Sequence, residues 1–211
     1  MTPEEFLGKL EAERATAIIR TDDQKTAAAA MKAAIRGGFR ILEFTLTIPG
    51  ALELISDFSK RPEIIIGAGT VLRPEDAQNA VQAGAKYLVS PVMDKKVIEA
   101  GLSLGVATMP GTHTPTEMLE AYRAGAHLQK VFPAVAGGPD AIRAILGPMP
   151  FLRLVPTNGV TGETAAAYLR AGAFSVAFVG SLFPPADLAA ERFDRIEERA
   201  RTFRKIVEQV Q

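Results

Sequence analysis

Lys130 lies in Ala126-His127-Leu128-Gln129-Lys130-Val131-Phe132-Pro133, a buried-strand pattern that runs into a tight turn. Burial there disfavours the ammonium form. A desolvated amine is a nucleophile that can condense with a ketone to a Schiff base. Moving a lysine from about 10.4 to roughly 7–8 corresponds to about 4 kcal/mol of differential destabilisation of the charged form. The plainer alternative is a strand-edge lysine whose stem carries its charge out to water. Glu43 interrupts Ile41-Leu42-Glu43-Phe44 at a position that alternation points inward. Desolvation raises a carboxyl pKa, which suits proton transfer near neutrality. Its alternative is a structural ion pair with Lys130 or Arg20. Arg20 closes the run Thr16–Arg20, where its paired N–H groups could hold a carboxylate. A salt bridge to Asp22 or Asp23 is the competing reading.

These residues need a frame. Apolar runs recur at 16–20, 40–45, 63–67, 86–90, 105–109, 127–132, 151–155 and 174–179, nearly continuous in character, as for strands covered on both faces. Helix signals lie between them. Thr21-Asp22-Asp23 precedes an Ala-rich run at 26–35, and Arg73-Pro74-Glu75-Asp76, Thr114-Pro115-Thr116-Glu117 and Thr161-Gly162-Glu163-Thr164 open further helices. Ala-Gly-Ala at 83–85, 124–126 and 171–173 stops helices ahead of the next strand. This alternation predicts an α/β fold, a (β/α)8 TIM barrel with an extra N-terminal helix over 3–14, as one domain spanning 1–211. A charged C-terminal helix over about 185–209 offers Phe193, Ile196, Phe203 and Ile206 inward. The runner-up is an open doubly wound sheet. Gly67-Ala68-Gly69-Thr70 lacks the third glycine of a dinucleotide fingerprint, so that reading is weak.

Composition narrows the function. The 211 residues are 47% hydrophobic with a formal net charge of zero, which speaks for a packed enzyme and against a nucleic-acid partner. No cysteine is present, so disulfides and thiolate metal sites are excluded and an intracellular, cytoplasmic location is expected. Two histidines make a His-rich metal site improbable. No apolar run reaches the ~20 residues of a membrane span, and the polar, acidic start argues against a signal peptide.

In a barrel the reactive groups come from the C-terminal ends of different strands. That rule collects Arg20, Glu43 with Thr45 and Thr47, Gly69-Thr70, Ser90-Pro91, Met109-Pro110-Gly111-Thr112, Lys130 with Phe132, Asn158-Gly159, and Gly180-Ser181. The last two glycine-bearing turns stand where barrels often hold a phosphate, with a hydroxyl from Ser181; tight turning alone also explains the glycines. His113 is expected near the site mouth and His127 toward the helical layer, neither with a role.

These residues together spell a pattern. The chain resembles the class I aldolases of the KDPG (2-dehydro-3-deoxy-6-phosphogluconate) and 4-hydroxy-2-oxoglutarate aldolase family across nearly its whole length. The resemblance is strongest in Ile41–Gly50, Ile66–Leu72, Met109-Pro110-Gly111 and Lys130-Val131-Phe132-Pro133. It implies a homotrimeric barrel that cleaves a small 2-oxo-4-hydroxy acid to pyruvate and an aldehyde with no metal or cofactor. It implies Lys130 as the Schiff-base lysine and Glu43 as the general acid/base. Thr70 would then help hold the pyruvate portion, Phe132 would pack on the lysine's intermediate, and Gly159, Gly180 and Ser181 would form the phosphate turns; Pro91 is a further substrate-binding candidate. Two departures stand out. Some members carry a carboxylate-binding arginine four residues past the glutamate, where this chain has Thr47; Arg20 takes that role by inference. Asn158 replaces a glycine frequent in phosphate-using members, which leaves the demand for a 6-phosphate open. The rival readings are a non-covalent phosphate-binding barrel isomerase and a non-catalytic metabolite-binding barrel.

Overall fold

The structure, a computed structural model, describes residues 1–134 and 137–210. Helix α1 (Pro3–Glu13) starts with a reciprocal cap: Thr2 Oγ1 accepts the Glu5 N–H at 3.2 Å, and Glu5 Oε2 accepts the Thr2 N–H at 2.8 Å. Strand and helix then alternate: β1 (Ala15–Ile19), α2 (Gln24–Arg36), β2 (Ile41–Thr45), α3 (Ala51–Ser59), β3 (Ile65–Gly69), α4 (Pro74–Gln82), β4 (Tyr87–Val89), α5 (Lys95–Ser103) and β5 (Ala107–Met109). The second half runs β6 (Gly111–Thr112), α6 (Pro115–Arg123), β7 (Gln129–Val131), α7 (Gly138–Leu146), β8 (Leu154–Pro156), α8 (Ala165–Arg170), β9 (Val176–Phe178), α9 (Pro185–Ala189) and α10 (Phe193–Glu208).

All the strand pairs are parallel. They form a six-stranded sheet, β5-β4-β3-β2-β1-β9, and a three-stranded one, β6-β7-β8. The break between β5 and β6 falls at Pro110, which has no N–H to give the ladder. Backbone bonds still cross it: Leu128 N–H donates to Thr108 O at 3.2 Å and Lys130 N–H to Pro110 O at 3.0 Å. On the other side, Phe174 N–H donates to Leu154 O at 2.9 Å, and Thr157 bridges Ala177 in parallel.

Three details differ from the sequence expectation. The third strand starts at Ile65 rather than Glu63, because Ile64 N–H folds back onto Arg61 O around Pro62. The fifth apolar run, 105–109, is followed beyond Pro110 by a further short strand, β6. The C-terminal helix is two helices, parted where Glu191 takes φ +50.

The core has two main layers. Between strands and helices, α2 presents Ala27, Ala30, Met31 and Ala34, all fully buried. Its small side chains let α10 approach so closely that a β-carbon on Gly37 would strike Ala200. Ile196 and Phe203 of α10 are buried and Phe193 and Ile206 partly so, which matches the expected inward stripe. Inside the strands, Ile18, Ile41, Ile65, Leu128 and Val155 pack with Tyr87 against Phe6 and Leu10 of α1. Phe6 stacks on Tyr87 with ring centroids 4.5 Å apart. Helix α1 therefore stops the N-terminal end of the strands and leaves their C-terminal end as the open mouth. No described helix is long and apolar enough to cross a membrane.

Candidate active site

Strand β7 carries Lys130 between Gly111 of β6 and Val155 of β8. Thr112 Oγ1 donates to the Lys130 carbonyl at 3.1 Å and fixes its backbone. The side chain is 5% exposed, and its Nζ lies 4.9 Å from the centre of the Phe132 ring. Burial pulls the ammonium below its usual value; the nearby Glu43 carboxylate opposes that shift and the Arg20 guanidinium adds to it. An amine held this way is a ready nucleophile toward a carbonyl carbon.

Glu43 stands on β2 opposite Gly67 of β3, with no exposure at all. Burial lifts its carboxyl above the ordinary range, against the pull of Lys130 and then Arg20. Neither carboxyl oxygen has a hydrogen-bond partner among the described residues. The expected alternative, a structural ion pair, is not formed: Lys130 and Glu43 sense each other's charge without a salt-bridge contact. An unpartnered buried carboxyl is costly, and such a group is available to a substrate or a water.

Space for this carboxyl comes from two glycines. A β-carbon on Gly69 would fall onto Glu43 Oε1, and one on Gly67 would fall onto the Tyr87 ring. Tyr87 is fully buried beneath the site and donates its hydroxyl to Leu42 O at 2.9 Å. Burial first, and the Glu43 charge second, push that phenol well above its usual value, so it stays neutral. The Gly67-Ala68-Gly69 spacing visible in the sequence is thus a pair of vacancies on the inner face of β3.

Above the pair opens a cleft of about 500 Å³ lined by Arg20, Asp22, Thr47, Thr70, Pro91 and Phe132. Arg20 is exposed at the end of β1 and forms no hydrogen bond or ion pair among the described residues, so the bridge to Asp22 or Asp23 is not made. Thr70 holds φ +60, a left-handed conformation that costs a β-branched residue on the order of 1–3 kcal/mol. Thr45 and Thr47 share a hydroxyl contact at 2.9 Å.

Asn158 and Gly180 line a neighbouring cavity, and Gly159 is exposed beside Asn158. Asn158 sits at φ +61, which explains why glycine suits that position and why Asn is a tolerated substitute. Ser181 is less free than its type suggests: its Oγ donates to Val160 O at 2.7 Å. His113 is exposed at the mouth and donates its N–H to Glu117. His127 is half-buried at the start of the β7 run and accepts the Thr108 N–H at its Nδ1, away from Lys130. Among the described residues no three His, Asp or Glu gather as a metal-ligand set.

Parallel βα units with a buried amine and a buried carboxyl under one mouth define the class: an α/β protein equipped for carbonyl chemistry at its strand C-termini. The chain belongs to the KDPG and KHG aldolase family, whose sequence model matches residues 8–199. It is 36% identical over 173 residues to the KHG/KDPG aldolase of Escherichia coli K12, covering 81% of each chain. It is 36% identical over 181 residues to the 2-dehydro-3-deoxy-phosphogluconate aldolase of Pseudoalteromonas atlantica, covering 85% of this chain and 84% of that one. Among solved structures, the KDPG aldolase of Legionella pneumophila with pyruvate captured as a covalent carbinolamine aligns at a TM-score of 0.85 and 27% identity, over 93% of this chain and 97% of that one.

Proposed function

We propose that the protein is a class I aldolase, a carbon–carbon lyase that cleaves a 2-oxo-4-hydroxy acid to pyruvate and an aldehyde through a lysine Schiff base. The observation that carries this is the burial of Lys130 near the Glu43 carboxyl, which has no hydrogen-bond partner among the described residues, under an open cleft edged by Arg20, likewise unpaired among them. Family membership and the carbinolamine captured in the Legionella relative support it.

Lys130 Nζ attacks the C2 ketone to give a carbinolamine. Glu43 protonates the departing hydroxyl, water leaves, and a protonated imine remains. The Glu43 carboxylate, directly or through water, then takes the proton of the C4 hydroxyl. The C3–C4 bonding pair flows into the iminium, forming an enamine and freeing the aldehyde. Protonation at C3 and hydrolysis return pyruvate and the free amine. Arg20 holds the substrate carboxylate, Thr70 and Pro91 frame the pyruvate portion, and Phe132 packs on the imine. Gly159, Gly180 and Ser181 bound the distal end.

The same reading extends to the frame and the assembly. The strands are read as one closed (β/α)8 barrel comprising a single domain; the bonds across Pro110 and the Thr157–Ala177 bridge support closure. A homotrimer is read from the family resemblance and a cytoplasmic location from the absence of cysteine; light scattering at three chain masses checks the trimer.

Borohydride reduction in the presence of pyruvate tests the chemistry. Mass spectrometry is expected to find the reduced adduct on Lys130. Full cleavage activity with Lys130 unmodified would refute the scheme and favour a non-covalent mechanism.

A further inference from the structure

Tyr87 is the largest fully buried side chain among the described residues, and the chemistry proposed above leaves it unused. Its place follows from the register of three neighbouring strands. Glu43 on β2 lies opposite Gly67 on β3, and the pairing of Ala68 with Leu88 puts Tyr87 of β4 opposite Gly67 in turn. The three residues form one row on the inner face of the strands. Glycine at the centre of that row leaves space that a β-carbon would close, and the Tyr87 ring fills it. The ring reaches across β3, and its hydroxyl donates to Leu42 O at 2.9 Å, on the residue before Glu43. Phe6 of α1 covers one face of the ring, with centroids 4.5 Å apart and planes 17° from parallel.

A side chain constrained from so many directions transmits position. Glu43 has no hydrogen bond among the described residues to fix its carboxyl, so its surroundings must do so. The charged groups that face it are Lys130 from β7 and Arg20 from the end of β1, and both favour the carboxylate. Burial outweighs them and raises the pKa. The Tyr87 phenol, itself kept neutral, is near enough to sense the Glu43 charge. A neutral aromatic wall supplies desolvation without adding a competing charge.

We propose that Tyr87 is a positioning residue for Glu43: its ring, braced by Phe6 and tied to β2 through Leu42, closes the space beneath the carboxyl to water and keeps it turned toward Lys130. The proposal rests on the aldolase reading and adds to it the residue that holds the general acid in place. It also gives α1 a part in the chemistry, through Phe6.

Tyr87→Leu tests it, because it opens a gap beside a carboxyl, a place polar enough to take up water. The Glu43 titration, followed by infrared difference spectroscopy and assigned with Glu43→Gln, should move down toward the ordinary carboxylate range. Imine formation with pyruvate in single turnovers should slow by about tenfold or more, while the pyruvate concentration for half-saturation changes little. Tyr87→Phe, which keeps the ring and drops the hydroxyl, should recover most of that rate. Phe6→Leu loosens the brace without altering Tyr87; it should move the titration the same way and carries the test if Tyr87→Leu does not fold. A residue that only fills the core would cost stability and nothing else. An unmoved titration or an unchanged rate in the folded variant therefore overturns the proposal, while a Lys130 adduct keeps the aldolase reading alive. Failure to trap Lys130 in the wild type overturns that reading and takes this proposal with it.

Discussion

The Glu43 carboxyl occupies the space that a side chain on Gly69 would need, although the two residues sit on neighbouring strands and Glu43 pairs with Gly67. The position of the Glu43 side chain on β2 is therefore set partly by an absence on β3. Gly69→Ala is expected to push the carboxyl away from Lys130. A displacement of about 1 Å costs on the order of 10²-fold in rate. Single-turnover kinetics should show that loss in the proton-transfer steps while pyruvate still saturates the protein; an unaltered rate would mean that Glu43 tolerates the shift or plays no part.

Glu43→Gln should trade activity for stability. The folded carboxyl has a raised pKa, so the native state binds a proton more tightly than the unfolded chain. Stability of the wild type then falls as pH rises from the ordinary carboxylate range through that elevated value. The amide carries no such charge. Denaturant midpoints should coincide near pH 4 and separate at higher pH in favour of the variant, by about 1–2 kcal/mol, while aldol cleavage drops by on the order of 10²–10⁴-fold.

Lys130→Met reverses the pH sense. The folded amine has a lowered pKa, so ionisation is disfavoured in the native state. The wild type carries that handicap in full below the lowered value, sheds it as pH rises, and is free of it above the ordinary lysine pKa. The stabilising effect of the variant should be largest in acid and fade toward alkali in urea titrations. The variant is also expected to lose cleavage and trapping altogether. In the wild type, kcat/KM should climb with pH as the amine deprotonates, and a flat profile would argue against an amine nucleophile.

Arg20→Ala is expected to raise the concentration of pyruvate needed for half-maximal trapping by about 10–100-fold, the loss of one charge-assisted pair. Its effect on the rate from the bound state should be small. An unchanged saturation curve would remove Arg20 from the site.

Much of this site was readable in the chain because charge inside an apolar run is conspicuous. Lys130 and Glu43 announce themselves in that way, and the strand-end rule drew in Arg20, Thr70, Pro91 and Phe132, all but Glu43 and Lys130 lining the cleft. The vacancies at Gly67 and Gly69 were visible but misattributable, since their meaning depends on the register between β2, β3 and β4. Ser181 reads as a free hydroxyl until its bond to Val160 O is seen. The short β6 beyond Pro110 was not read from the sequence, and nothing local announced the left-handed Glu191 that parts α9 from α10.

On the aldolase reading, the floor that Phe6 and Leu10 lay beneath the strand N-termini sends substrate and products through the opposite end. Each turnover expels one water at imine formation and admits another at its hydrolysis, and both must pass where the aldehyde also exits.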